Sequence, residues 1–244
     1  MTAIKERPIL FSAPMVRAIL EGRKTVTRRA FRVQPSGGTP VAVSTFNPIK
    51  IDRRGVEQPG PELFGAITFD GEWSLKCPFG QEGDRLWVRE TFALLGNEDG
   101  ACIDWNDRLI KGDEHDAARI FRASCTIGDY GLWNIPDKAD WKPDTEDMLY
   151  EGAWRPSIHM PRWASRILVE ITDVRVERLQ DITYEQAVAE GVHRGPLREW
   201  SASDEGGACH KYPVPAFRDL WQSTGGNWDA NPWVWVVEFK RVTP

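Results

Sequence analysis

Ile19–Arg29, read as ILEGRKTVTRR, decides how the chain is interpreted. Gly22 ends the apolar run before it, because a glycine past the last periodic residue is a helix stop. Upstream, Met15, Val16, Ile19 and Leu20 fall on one helical face, with Ser12 as N-cap and Pro14 in the first turn. Pro8–Ser12 reads as a short strand leading into that helix. Downstream, Gly22–Arg29 is a basic, hydroxyl-rich turn that runs into extended chain. Residues 17–32 carry six bases against the single acid Glu21. The whole chain has a net charge of −5, so the remainder carries −10.

Two further segments frame this element. Gly83–Glu90 is a turn followed by an alternating strand, with Leu86 and Val88 on one face and Arg85, Trp87 and Arg89 on the other. Arg166–Leu179 alternates as a long strand bent near Asp173, and Thr183-Tyr184-Glu185-Gln186 is a capping box. The helix it starts should run to about Glu190 and stop at Gly191. Residues 193–213 read as loop and Pro215–Gln222 as a second short helix. Pro232–Val242 reads as a closing strand, buried and rich in β-branched and aromatic residues. Between these pieces, 33–77 and 95–152 are poorly periodic excursions. Ala66–Phe69, Trp73–Leu75 and Ile120–Ala123 are their strand candidates. The expectation is one α+β domain over 1–244, a mixed β-barrel with short rim helices and two large insertions.

The 244 residues are 41% hydrophobic and 27% charged, which excludes wholesale disorder and leaves room for a real core. No apolar run approaches the roughly 20 residues of a membrane helix, and no secretory leader is visible, so a cytoplasmic protein is expected. Cys77, Cys102, Cys125 and Cys209 contain no CxxC pair, which argues against disulfide and zinc frameworks. His115, His159, His193 and His210 lack ligand spacing, so no metal and no cofactor is expected. GxGxxG, Walker A, GxSxG and HExxH strings are absent. Twelve tryptophans suit either a Trp-rich core or aromatic walls, and Trp87, Trp163, Trp233 and Trp235 are open to both readings.

Lys24 and Thr27 form the informative pair. A threonine hydroxyl becomes a nucleophile when a base takes its proton, and a lysine becomes that base when burial or nearby cations lower its pKa. Arg23, Arg28 and Arg29 supply such cations. The same residues suit a solvated turn that binds phosphate or nothing. Glu190, at the helix end, reads on its own as an exposed glutamate.

Ile19–Arg29 resembles the "L-x-G-x-K-T-x-T-x-R" element of the ASCH family, which belongs to the PUA-like β-barrel superfamily. Gly83–Val88 resembles its "G-D-x-L-x-V" turn and strand, Leu179–Gly191 its helix, and Val234–Phe239 its closing strand. Together these pieces cover about half of the chain, and the insertions resemble those of larger phage and prophage members. The resemblance implies an amidohydrolase that removes the acyl group from N4-acylated cytosine nucleosides. It places the catalytic set on Lys24, Thr27 and Glu190, with Glu185 the fallback for the carboxylate. Arg28, Arg23 and Trp87 are the candidate substrate contacts. A nucleic-acid-binding module or ribonuclease is the alternative that the same family implies. The insertions are expected to wall the pocket with Trp73, Trp105, Trp133 or Trp141 and to admit acyl groups bulkier than acetyl.

Overall fold

The computed structural model describes residues 4–36, 39–112, 114–125, 135–139 and 154–242. In chain order the elements begin with β1 (Glu6–Leu10), α1 (Ala13–Leu20) and β2 (Val26–Ala30). The first excursion supplies β3 (Val41–Phe46), β4 (Ile49–Ile51), β5 (Glu57–Pro59), β6 (Leu63–Thr68) and β7 (Ser74–Lys76). Next come β8 (Arg85–Arg89), β9 (Phe92–Leu94), β10 (Arg119–Phe121) and β11 (Leu168–Arg178). The chain continues through α2 (Tyr184–Ala189), β12 (His193–Arg194), β13 (Trp200–Ser201), α3 (Pro213–Ser223) and β14 (Trp233–Val242). The protein is mixed α+β, dominated by strands.

The main sheet runs β1-β8-β11-β14-β2. A closed barrel needs its terminal strands to pair. No ladder joins β1 to β2 among the described residues, so the expected barrel is replaced by an open five-stranded sheet. The first excursion is better ordered than its composition implies. It forms a three-stranded sheet, β3-β6-β7, and a separate ribbon, β4-β5. The segment read as loop holds the small ribbon β12-β13. Among the described residues no helix is long and apolar enough to cross a membrane.

The chain divides into two compact units, one of Met1–Arg7, Gly22–Leu86 and Val169–Pro244, the other of Pro8–Glu21 and Trp87–Leu168. The core of the first unit packs Val26 of β2 and Val234 and Val236 of β14 against Ala187 of α2 and Phe217 and Trp221 of α3. Among the described residues the second unit holds a cluster built on Leu95, Ile103 and Ile120 and another on Phe92, Leu94 and Met160.

Local sequence accounts for the pieces that matter most. Gly22 has φ +75° and Gly191 φ +89°, left-handed values that glycine reaches without a Cβ penalty and that end α1 and α2. α2 has the complete capping box: Thr183 accepts from the Gln186 amide, and the Gln186 side chain accepts from the Thr183 amide. Asp84 of the Gly83-Asp84 turn is a structural knot. It accepts from the Lys5 amide at 3.0 Å and from Arg7 Nη1 at 2.7 Å. Gly80, at φ +111°, lets the backbone pass against this Arg7–Asp84 pair, where a Cβ would collide with both side chains.

Candidate functional site

β2 and the end of α2 lie side by side in the first unit. The Thr25 amide donates to the Ala189 carbonyl at 2.9 Å, so the basic turn is fastened to the last turn of the helix. Glu190 is the C-cap of α2 and is 3% exposed, whereas Glu185 sits in the first turn and is exposed. Lys24 is 4% exposed. Its Nζ donates to Glu190 Oε2 at 2.8 Å, to the Glu190 carbonyl at 2.6 Å and to the Val26 carbonyl at 2.9 Å. Three acceptors around Nζ match the three N–H bonds of an ammonium.

Glu190 serves a second cation. Arg28 Nη1 donates to its Oε1 at 3.3 Å, while Arg28 Nη2 donates to Glu177 Oε2 and to Gln186 Oε1, each at 2.8 Å. Glu177, on β11, is held from its other oxygen by Arg175 Nε at 2.6 Å. The Arg28 side chain is fully buried, and its Nε has no hydrogen-bond partner among the described residues. Its charged end is thus committed to protein groups, which makes it a support for Glu190 more than a contact for an incoming molecule.

Burial pushes the Lys24 pKa down, with Glu190 opposing and Arg29 and Arg28 adding to the fall. Desolvation is the leading cause because an ammonium loses its hydration inside the protein. Burial also lowers Arg29, again against the pull of Glu190. Burial raises Glu177, but Arg175 and Arg28 outweigh it and leave that carboxyl below the usual range.

Thr27 is 3% exposed on β2, paired with Val237. Strand side chains alternate, so Thr27 and Arg29 face away from Val26 and Arg28. The ladder agrees. Val236 stands opposite Arg28 and belongs to the helix-facing core, while Val237 and Trp235 stand opposite Thr27 and Arg29. On the Thr27 side Phe31 lies 4.7 Å from Trp235 and stacks on Trp73 at 5.6 Å between ring centroids. No hydrogen bond joins Thr27 to Lys24 among the described residues, although Nζ touches the carbonyl of the peptide that carries the Thr27 amide.

The structure therefore brings Lys24, Arg28 and Glu190 into one cluster, with Thr27 on the adjoining strand face. Arg23 donates to the Gly191 carbonyl at 3.2 Å, beside the same helix end. Trp87 belongs to the other unit, where Arg89 lies over its ring at 5.6 Å. Trp105 is also in that unit and 41% exposed; Trp133 and Trp141 fall outside the described residues. Sequence reading did not place Glu177 in the site and read Gln186 only as the capping-box glutamine. The one signal for Gln186 was its spacing of four from Glu190, which puts both on one face of a helix. A separate cavity of about 530 Å³ in the first unit is lined by Lys5, Arg7, Phe64, Cys77 and Asp84, and none of Lys24, Thr27 and Glu190 reaches it. Among the described residues no group of three His, Cys, Asp or Glu side chains is placed to hold a metal ion.

Comparisons of the chain with protein-family models, curated proteins and solved structures return no match.

Proposed function

We propose that the chain is a larger ASCH-type, PUA-like protein that hydrolyses the N4-acyl amide of cytosine nucleosides. The observation that carries this reading is the fully buried Lys24–Glu190 contact at 2.8 Å. In a desolvated site the charged and neutral forms of such a pair approach each other in energy. A proton passing from Nζ to Oε2 leaves an uncharged amine, able to accept the Thr27 proton. Thr27 Oγ1 then attacks the acyl carbonyl carbon and forms a tetrahedral oxyanion. Lys24 returns the proton to N4 as the C–N bond breaks, and water hydrolyses the acyl-threonine. The step needs a Thr27–Lys24 contact that has to form in the reacting complex. Trp73, half-buried on the Thr27 side and stacked on Phe31, suits the flat face of cytosine.

The test is release of cytidine from N4-acetylcytidine by the purified protein. Thr27→Ala and Lys24→Ala should each remove nearly all turnover and the double variant little more, because the groups act as a unit. Thr27→Ser should keep measurable activity. A fully active Thr27→Ala protein removes the nucleophile assignment in favour of a directly activated water. Comparing acetyl, butyryl and benzoyl cytidines asks whether Trp73 helps set acyl size.

A second reading, nucleic-acid binding, is favoured by the β4-β5 ribbon. Its exposed Lys50, Arg53 and Arg54 accompany Ile49 and Ile51, each 68% exposed. Phosphate contacts there would make affinity for an oligonucleotide fall steeply with salt. Turnover of a neutral nucleoside would change little.

A further inference from the structure

Gln186 and Glu190 occupy the two ends of α2, and each makes two kinds of contact. Gln186 completes the capping box through Oε1, and that same oxygen accepts from Arg28 Nη2 at 2.8 Å. Its Nε2 donates to Glu177 at 3.4 Å. Glu190 divides its oxygens between Arg28 and Lys24. One turn of helix thus holds Arg28 by its far end and Lys24 by its near end.

We propose that Gln186 and Glu177 are positioning residues that act on Lys24 through Arg28. By fixing the guanidinium against Glu190 Oε1, they leave Lys24 a single carboxylate oxygen and keep a second cation beside it. The charged groups around Lys24 are Glu190 at the end of α2, Arg28 and Arg29 on β2, and Glu177 and Arg175 on β11 beyond Arg28. Arg23 lies beside the helix end through Gly191. Loosening Arg28 frees Oε1 to turn toward Lys24 and moves a like charge away. Both changes favour the ammonium, so Lys24 holds its proton to higher pH. Glu177→Gln has the opposite sign: its side-chain oxygen and Gln186 still hold Arg28, but the anion that drew on the guanidinium is gone, so Arg28 bears harder on Glu190 and Lys24 loses some of that carboxylate. The idea rests on the proposed catalytic use of Lys24, but its test does not need turnover.

The experiment follows Lys24 in the full chain by NMR of ¹³Cε-labelled lysine against pH, with the Lys24→Met protein giving the assignment. Gln186→Ala should move the Lys24 midpoint up by about half a pH unit, and Glu177→Gln should move it down. Thr183→Ala removes the partner half of the capping box without touching Arg28. It should lower thermal stability and leave the midpoint in place. An unmoved midpoint in both Gln186→Ala and Glu177→Gln overturns the proposal, as does an equal rise in Thr183→Ala. Should Gln186→Ala not fold, the sign of the Glu177→Gln shift decides. The predicted shifts in a protein that never releases cytidine would remove the amidohydrolase reading and leave the positioning network standing.

Discussion

Glu190 and Glu90 are buried to 3% and 2% exposure, one in each unit, and both face cations. Glu190 divides its oxygens between Lys24 and Arg28. Glu90 gives both of its oxygens to Arg166, at 2.9 and 3.0 Å, in a fork that Ser124 Oγ extends at 2.7 Å. Phe121 lies under the Arg166 guanidinium at 4.0 Å. An arginine keeps its proton at any ordinary pH, so the Glu90 fork is a fixed brace. A buried lysine gives up its proton readily, so the Glu190 pair holds a charge that can move. Equal burial therefore supports different chemistry, and the identity of the cation decides which.

The largest effect expected from breaking this comparison is on stability. Glu190→Ala strands Lys24 and Arg28 without their shared carboxylate, and breaking a buried pair from one side costs about 3–5 kcal/mol. Urea unfolding measures the loss. Adding Lys24→Met to that variant should restore part of it, because one stranded cation is then gone. No recovery would mean that the cluster is held by something other than charge balance.

The next test separates the units by pH. Burial raises the Glu90 carboxyl above its usual range, with Arg166 opposing. A raised carboxyl contributes stability below its unfolded pKa of about 4.3 and loses that contribution as pH rises through the folded value. The wild-type melting temperature should therefore fall relative to Glu90→Gln as pH climbs from the ordinary carboxylate range toward neutrality. A wild-type advantage over Glu90→Gln that increases with pH would show that Arg166 outweighs burial.

The smallest effect comes from the control on the surface of the second unit. Arg155 grips Glu114 in the same two-pronged way, at 2.6 and 2.7 Å, but the side chains are 34% and 42% exposed. Solvent screens such pairs, so Glu114→Ala should cost about 0–1 kcal/mol and less still in high salt. A loss as large as that at Glu190 would deny burial its part in the comparison.

The legible parts of the molecule were those written in consecutive residues. The stops at Gly22 and Gly191, the cap at Thr183 and the apolar closing strand all rest on local rules, and the helices and strands they define are present. The short strands β3, β4, β5 and β9 were missed because three to six residues give little periodicity. Lys24 stood out in its own turn, but its pairing with Glu190 came from the family resemblance. Arg28 meets Glu177 across 149 residues and Gln186 across 158, distances over which spacing carries no signal. Arg28 was read in sequence as a candidate substrate contact. It is buried because β2 lays that side chain under α2.

β14 has a consequence for how the protein comes to exist. It lies between β11 and β2, and β2 carries Thr27, Arg28 and Arg29 on its ladder. A ribosome releases residues 24–29 long before it releases residues 233–242. Until then β2 lacks the strand that it pairs with among the described residues, so the ladder that carries Thr27, Arg28 and Arg29 closes late. Long-range closure of this kind is slow.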